Sequence, residues 1–465
     1  MLSLFKQRTN SPSNTWTPLS AVTATSVSED DKNVLPSGSQ DEGSRQEEVN
    51  TIHVAGQAQR TGSSTGALLN MVCIVIGTGS LNLPRTLEQS GWIGLLLIAI
   101  CGIISTFTGV LIIKSLNMMD TSRVRNFNQI GQAAFGTTGR VIIYVLYFIN
   151  VTGIVGDYII LAGQSFHQIA NGAGGLTENS WKLVCTLIMW LGCISLKQMS
   201  EAAMLSLVGI VTSMGAILIG VIQAFMHPYR DNGLVPVAHH RATHETARGS
   251  GVALALATIS FAFCAVSVMP SVESSMRRPD KWNTVLSLSM IIVGITYIFV
   301  ATVGYWAFGD QALAPFLDNL PPNAATKAAK ILISLHVIFA SPVMATSFAL
   351  EIEVALNITK ERLSKVREFA ARLLLRTLFF IAMAGVALGI PFFGDVMALV
   401  GAFSMSLLLC VVPVACYVKL RGWRNISWQL LLVCALVMFL GVYICIMGSK
   451  GAIEDMRKDL ANKAV

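Results

Sequence analysis

The stretch that decides the fold reads Val75-Ile76-Gly77-Thr78-Gly79-Ser80-Leu81-Asn82-Leu83-Pro84. It lies in the first long apolar segment of the chain, yet its two glycines and its proline are poor helix formers. Backbone groups without helical partners are tolerated at membrane depth only where they face protein or a water-filled cavity. The stretch therefore predicts an interrupted helix, whose positive end can hold a carboxylate and whose free carbonyls can coordinate a cation.

The composition is that of an integral membrane protein. Of the 465 residues, 53% are hydrophobic and only 13% are charged, and the mean hydropathy is +0.61. A spanning helix needs about 20 mainly apolar residues. We therefore predict an all-α polytopic membrane protein with eleven transmembrane helices. They cover residues 66–86, 91–113, 139–170, 181–197, 203–226, 251–275, 283–308, 328–350, 372–390, 395–418 and 427–447.

The chain divides into three parts. Residues 1–65 are rich in Ser, Thr, Gln, Asp and Glu and contain no apolar run, so they cannot bury enough surface to fold alone. We predict a disordered cytoplasmic tail over 1–65, a transmembrane transporter domain over 66–448 and a short C-terminal tail over 449–465. The nine cysteines all fall inside predicted spans, which indicates buried hydrophobic side chains and neither a disulfide framework nor a metal site.

The positive charge is distributed unevenly between the predicted loops. Lys and Arg are concentrated on the side of the N-terminus, for example at Arg277, Arg278 and Lys281. By the positive-inside rule this places the N-terminus in the cytoplasm. Membrane topology thus explains the net charge of +7, and the partner that we predict is a lipid bilayer and no nucleic acid. A vacuolar membrane, another endomembrane and the plasma membrane all fit, and the oligomeric state is not indicated.

A second interruption is predicted in span six. This span reads Thr258-Ile259-Ser260-Phe261-Ala262-Phe263-Cys264-Ala265-Val266-Ser267-Val268-Met269-Pro270. Spans one to five and six to ten can be laid over each other as two halves, with the eleventh added. Interrupted segments in corresponding positions of two halves point to an inverted-repeat transporter. A simple proline kink is the alternative, and composition favours neither.

Four stretches resemble the amino acid/auxin permease family. The first is Gly77-Thr78-Gly79-Ser80-Leu81-Asn82-Leu83-Pro84 with Gly91-Trp92-Ile93-Gly94, which is similar to the family's first-helix signature. The others are Phe261-Ala262-Phe263-Cys264 with Val272-Glu273-Ser274-Ser275-Met276-Arg277-Arg278-Pro279, then Gly304-Tyr305-Trp306-Ala307-Phe308-Gly309-Asp310, then Ile390-Pro391-Phe392-Phe393-Gly394-Asp395 with Gly401-Ala402-Phe403 and Pro413. Four motifs in order are more specific than any one of them.

The resemblance implies a leucine-transporter-like fold of five plus five inverted helices plus one, with helices 1 and 6 discontinuous. It implies a secondary active amino acid transporter that works by alternating access, as a symporter or antiporter coupled to protons or, in some branches, to sodium. We do not expect an enzyme, because the sequence has neither a Gly-rich phosphate loop nor a His-Glu-x-x-His motif. An amino acid-sensing receptor that keeps the transporter fold is an alternative that the sequence leaves open.

The residues that we predict for substrate binding lie in spans one, three and six, and the resemblance implies those of spans one and six. They are Gly77, Thr78, Gly79, Ser80, Asn150, Phe261, Ala262 and Cys264. The first-span backbone N–H groups would bind the substrate carboxylate, and the sixth-span residues would face its amino group and side chain. The physical argument agrees for span one, since glycines let the backbone approach a ligand. The structural alternative for these glycines is close helix packing.

Span three carries a polar stripe that is evident without any family. Tyr147, Asn150, Asp157, Gln164 and Gln168 recur at helical spacing, so they share one face, which we expect to look inward. Asp157 lies near the middle of the span, where ionising a carboxyl is costly, and such a residue is a functional candidate. It is either a proton carrier or a structural carboxyl hydrogen-bonded to span one or eight, and the sequence does not separate these roles.

Ion coupling has a second set of candidates. The hydroxyls of Ser341 and Thr346 in span eight could complete a sodium site with first-span carbonyls, since hard cations take oxygen ligands. Ser and Thr also bond to their own helix backbone in membranes, which is the plainer interpretation. We favour the proton as the coupling ion. We expect no resident cofactor, and no geometry in the histidine-containing loop before span six fixes a zinc site.

The substrate class is predicted from the side chains of the pocket. Phe261, Phe263, Cys264 and Val266 are apolar, which favours a neutral amino acid. Arg85 stands where the family more often has an aromatic or small residue, and its charge favours an acidic substrate instead. The two observations point in opposite directions, and we predict neutral amino acids.

Overall fold

The structure is a computed structural model, and it describes residues 62–119, 127–170, 175–195, 202–228, 242–263, 265–356, 358, 364–390 and 392–464. Helices dominate these residues, no strand occurs among them, and an isolated bridge joins Gly62 to Met276. The all-α prediction is confirmed for this part of the chain. The predicted tail up to residue 61, and the candidate Cys264, lie outside the described residues.

The first span is broken where the sequence predicts. Helix α1 is Ser64–Val75, a 3-10 turn covers Thr78–Asn82, and helix α2 is Leu83–Ser90. Ile76 is extended, with φ −75° and ψ 99°. Pro84 lies in the first turn of α2, a position at which its missing N–H removes no helical hydrogen bond. The two helices are bent by 43° relative to each other, so the discontinuous first helix is confirmed.

Four helices follow before the second break. They are α3 Gly94–Asn117, α4 Phe127–Ala170, α5 Glu178–Ser195 and α6 Ala202–Met226. Helix α4 has 44 residues and is bent at Gly136, whose φ of +65° a glycine adopts without steric penalty. Of its most apolar stretch, 72% is buried, so α4 lies in the interior of the bundle.

The sixth span is also broken. Helix α7 is Val252–Ala262 and helix α8 is Met269–Ser275, with Pro270 in the first turn of α8. Residues 265–268 between them are not helical. A helix that ends before its proline and resumes at it is an interruption and not a kink, so the discontinuous sixth helix is confirmed.

The remaining helices complete the bundle. They are α9 Trp282–Phe308, α10 Ala324–Ala355, α11 Lys365–Gly389, α12 Phe393–Val400, α13 Val412–Arg421, α14 Trp428–Tyr443 and α15 Ser449–Ala464. Two π-helical turns, Gly401–Met405 and Leu407–Val411, connect α12 to α13. A third, Ile444–Gly448, connects α14 to α15. Residues 449–464, predicted as a short tail, are therefore helical and continue the last span.

Eight helices in the described part of the chain are long and apolar enough to cross a membrane, or nine if the bent pair α1 and α2 is one span. Helix α5 has the polar residues Glu178 and Lys182 in its first two turns, and α7 is too short alone. The multi-pass membrane prediction is confirmed. The count of eleven spans stays a prediction.

The helices pack in two groups. Helix α9 packs on α1, α2 and α3, and α3 packs on α7; with α8 we call these the broken-helix group. Helix α10 packs on α4, α5 and α6, while α11 packs on α4 and α5; we call α4, α5, α10 and α11 the long-helix group. The first break lies beside α10 of the long-helix group, since a Cβ on Gly77 would lie 3.3 Å from the ring of His336 on α10. A substrate site between two groups of helices would lie at such a place.

Candidate functional site

The two breaks lie in direct contact. A Cβ built on Gly79 would lie 2.7 Å from the Cα of Ala262 and 3.0 Å from its Cβ, closer than carbon atoms pack. Thr78 and Ser80, the neighbours of Gly79, are buried. Gly79 thus allows the first break to approach the end of α7, and two of the predicted substrate-binding residues meet there.

Backbone donors are left over in the first break. The N–H and the hydroxyl of Ser80 both donate to the carbonyl of Gly77, at 3.1 and 2.7 Å. The N–H groups of Gly77, Thr78 and Gly79 precede this first bond, and the described part of the chain records no acceptor for them. Buried N–H groups need an acceptor. A substrate carboxylate, as the resemblance implies, is one.

A tyrosine that the sequence analysis did not single out joins the two breaks. Tyr297 of α9 is fully buried, and its Oη lies 2.6 Å from the carbonyl oxygen of Val75 and 2.8 Å from that of Ala262. These carbonyls belong to the last residues of α1 and α7. The sequence offers one indication of such a role, because the hydroxyl of a tyrosine buried within an apolar span needs a hydrogen-bond partner.

The sixth-span candidates lie at the end of α7. Phe261 and Ala262 are both buried there, and the ring of Phe263 contacts the ring of Tyr297 edge to face at 5.2 Å. The first π-helical turn also packs against α7, since a Cβ built on Gly401 would overlap the carbonyl oxygen of Ala257 and lie 3.1 Å from the Cβ of Phe261. The end of α7 is therefore enclosed by helices on several sides.

The polar stripe of α4 faces inward at Asn150 and Asp157, as predicted, whereas Gln168 near its end is exposed. Asn150 and Asp157 are 1% and 0% exposed. Gln164 donates to Glu178 at 3.4 Å, and Gln168 accepts a hydrogen bond from Lys330. Neither carboxyl oxygen of Asp157 has a hydrogen-bond partner among the residues that the structure describes. The alternative was a structural carboxyl that is hydrogen-bonded to span one or eight, and no hydrogen bond among the described residues supports it.

The two hydroxyls predicted for a sodium site have different surroundings. The hydroxyl of Ser341 is buried and has no hydrogen-bond partner within the described ranges. The hydroxyl of Thr346 lies 3.3 Å from the Sγ of Cys193 on α5. Thr346 is thus engaged by the long-helix group, and no recorded contact joins it to Ser341 or to a first-span carbonyl.

A buried histidine also reaches the first break. The Nδ1 of His336 on α10 lies 2.7 Å from the carbonyl oxygen of Gly209 on α6, so in the neutral ring this nitrogen carries the proton. A Cβ on Gly77 would lie 3.3 Å from the other ring nitrogen, Nε2. His336 therefore connects the long-helix group to the first break.

Arg85 is engaged by the C-terminal helix. Its guanidinium lies 3.2 Å from the carboxylate of Asp455 and 4.0 Å from that of Asp459, both on α15. Gly451 and Ala452 of α15 pack against Leu254 of α7. The positive charge of Arg85 is thus balanced within the protein.

The loop before α7 is fastened to the end of α2. Arg248 bonds Glu245 at 2.7 Å and Glu88 of α2 at 3.0 Å, and the hydrogen bond from Arg248 lowers the pKa of Glu245. The ring of His244 stacks on Trp92 with the centroids 6.0 Å apart. His239 and His240 of this loop lie outside the described residues, and no group of His, Cys, Asp or Glu in the described part could hold a metal.

Curated plant transporters are similar to this chain along most of its length. Amino acid transporter AVT1E of Arabidopsis thaliana is 28% identical over 411 residues, across 86% of this chain and 74% of that protein. Amino acid transporter AVT1J of the same plant is 26% identical over 389 residues, across 82% and 88%. Relatives of this kind are transporters, so the prediction that the chain is not an enzyme is confirmed.

Solved structures show the fold. The inward-facing conformation of Mhp1 has a TM-score of 0.54 at 13% identity, and the match covers 87% of this chain and 92% of that one. A substrate-bound, outward-open Na⁺-coupled sialic acid symporter has a TM-score of 0.50 at 13% identity, covering 85% and 91%. Both have the leucine-transporter fold, which confirms the predicted fold class.

The family follows from a match along the membrane domain. The family model for transmembrane amino acid transporter protein matches residues 60–454, which spans the domain predicted at 66–448. The first-helix glycines, the broken sixth span and the tenth-span motif all lie inside this match. The chain belongs to the transmembrane amino acid transporter protein family.

Proposed function

We propose that the chain is a secondary active transporter that carries neutral amino acids by proton-coupled alternating access. The observation that carries the proposal is the contact between Gly79 and Ala262, which brings the breaks of the first and sixth spans together. Broken helices at the centre of a membrane protein supply backbone groups for a charged substrate. The family and the names of the plant relatives support amino acids as that substrate.

The two ends of an amino acid find complementary groups at this contact. The N–H groups of residues 77–79 suit a carboxylate, because they lie at the positive start of a helical turn. The carbonyls of Val75 and Ala262 lie at the negative ends of α1 and α7, which suits an ammonium group. A zwitterion thus supplies an acceptor for these N–H groups and further donors for the two carbonyls, which share the hydroxyl of Tyr297.

A neutral side chain fits the surroundings better than a charged one. Phe261, Ala262 and Phe263, at the end of α7, are buried and apolar. Arg85, which favoured an acidic substrate at the level of the sequence, is paired with carboxylates of α15. The guanidinium of Arg85 is therefore not left over to hold an acidic side chain, and burying such a side chain without a partner is costly.

Asp157 is our candidate for the coupling group. It is fully buried in α4, and its carboxyl has no recorded partner in the described part of the chain. An unpaired carboxylate buried in this way is costly, whereas the protonated carboxyl is neutral. Binding and release of a proton at Asp157 would therefore be linked to changes in its exposure during transport, as symport or antiport.

The charge pattern of the loops supports a cytoplasmic N-terminus. The membrane would be a vacuolar membrane, another endomembrane or the plasma membrane.

Uptake of labelled amino acids into proteoliposomes tests the coupling. Asp157→Asn should flatten the dependence of neutral amino acid uptake on external pH and abolish accumulation driven by a proton gradient, because the amide does not titrate. Asp280→Asn, at an exposed position, is the matched control and should behave as wild type. Unchanged pH dependence and accumulation in Asp157→Asn would reject Asp157 as the coupling group.

A further inference from the structure

The hydroxyl of Tyr297 lies between the carbonyl ends of the two broken helices. Val75 ends α1 and Ala262 ends α7, and both carbonyl oxygens lie within hydrogen-bond distance of the hydroxyl of Tyr297, at 2.6 and 2.8 Å. The tyrosine ring also contacts the ring of Phe263, edge to face, with the centroids 5.2 Å apart. Tyr297 is fully buried, so bulk water does not reach this point.

One phenol proton does not fully satisfy two carbonyls. The last carbonyls of a helix lack helical donors and carry its negative dipole end. The hydroxyl of a tyrosine supplies one proton, whereas the ammonium group of an amino acid supplies three N–H donors and a full positive charge. The pair of carbonyls at Val75 and Ala262 therefore accepts an ammonium group better than it accepts the phenol.

We infer that the hydroxyl of Tyr297 substitutes for the substrate's ammonium group when the transporter is empty. This inference rests on the proposed transport of amino acids. Without substrate, the shared hydrogen bonds of Tyr297 hold the end of α1 against the end of α7. With substrate, the ammonium group takes over one or both carbonyls. Tyr297 is thus a positioning residue that allows the empty protein to bring its two breaks together.

The proposed role of Tyr297 has different consequences for net uptake and for exchange. Net uptake requires the empty protein to return across the membrane, and that step depends on the breaks closing without substrate. Exchange of internal for external amino acid uses only the loaded protein. Loss of the tyrosine hydroxyl should therefore slow net uptake and spare exchange, a split that general damage to the fold does not produce.

Tyr297→Phe tests the inference, since it removes the hydroxyl and keeps the ring against Phe263. We expect net uptake to fall by about tenfold, from the loss of a buried donor to two carbonyls, and exchange to stay within about twofold of wild type. Tyr305→Phe is the matched control: Tyr305 lies on the same helix, and its hydroxyl bonds the backbone of Glu245 at 2.9 Å, away from the breaks. It should leave the ratio of net uptake to exchange unchanged.

Ligand-induced stabilisation gives a second readout that needs no transport. A saturating neutral amino acid should raise the melting temperature of Tyr297→Phe by more than that of wild type, because the ammonium supplies the missing donor. The carboxylic acid that lacks the amino group should raise both equally. An equal loss of net uptake and exchange, or an equal thermal shift by the amino acid, would overturn the inference. Wild-type protein that performs neither mode would reject the proposed function and this inference with it.

Discussion

The contact between the breaks predicts that a single methyl group at Gly79 obstructs transport. In Gly79→Ala the new Cβ would start 2.7 Å from the Cα of Ala262, whereas carbon atoms pack at about 3.5–4.0 Å. The first break and α7 must therefore separate by about 1 Å. Backbone lies on both sides of the contact, so no flexible side chain can move aside to relieve it.

The cost of this separation follows from the packing of buried groups. Overpacking of a well-packed core costs about 1–3 kcal/mol. If transport passes through the arrangement in which the breaks touch, the population of that arrangement falls by about 5- to 140-fold, because 1.4 kcal/mol is a factor of ten. The maximal rate of uptake should fall by the same factor.

Uptake by purified Gly79→Ala in proteoliposomes, at matched protein density, is the assay. Two controls make the same substitution elsewhere: a Cβ on Gly294 of α9 or on Gly385 of α11 would meet no atom within 4 Å. Gly294→Ala and Gly385→Ala should transport as wild type, since Ala is the better helix former. A Gly79→Ala protein with a wild-type rate would refute the reasoning that the breaks must touch during transport.

Two further predictions concern charged residues away from the breaks. Arg376→Ala should destabilise the protein by about 3 kcal/mol, because Arg376 bonds the buried Glu353 at 3.0 Å and the carbonyl of Cys193 at 2.6 Å; an unchanged melting temperature in detergent would contradict this. Arg85→Gln should cost about 1 kcal/mol or less, because Arg85 and Asp455 are each about a quarter exposed, at 23% and 24%. It should also leave the preference among neutral, acidic and basic amino acids unchanged, and an altered preference in competition assays would show that Arg85 selects the substrate.

The breaks could be predicted from the sequence because their signals are local. Gly77, Gly79 and Pro84 disfavour a continuous helix whatever surrounds them, and Pro270 does the same in span six. The inward face of α4 was also predictable, since helical spacing alone places Asn150 and Asp157 on one side. Each of these inferences depends on residues within a few turns of one another.

Contacts between residues far apart in the sequence are harder to predict than the local breaks. Tyr297 lies 222 residues from the carbonyl of Val75 that it bonds, and nothing in its own helix indicates that partner. Arg85 was interpreted as a charge near the substrate because its partner Asp455 is 370 residues away. Likewise, the sequence makes the hydroxyl of Thr346 a candidate for a sodium site with first-span carbonyls, whereas its partner is Cys193 of α5. Tertiary packing decides such pairs, and a single sequence does not contain it.

The most direct test of the account is uptake of labelled amino acids by wild-type protein in proteoliposomes under an inward proton gradient, an inward sodium gradient, or neither. The account predicts that neutral amino acids accumulate only with the proton gradient. Accumulation that requires sodium would contradict proton coupling and would favour Ser341 as a sodium ligand. No accumulation under any gradient, in protein that an amino acid still stabilises against heat, would contradict transport itself and favour a receptor.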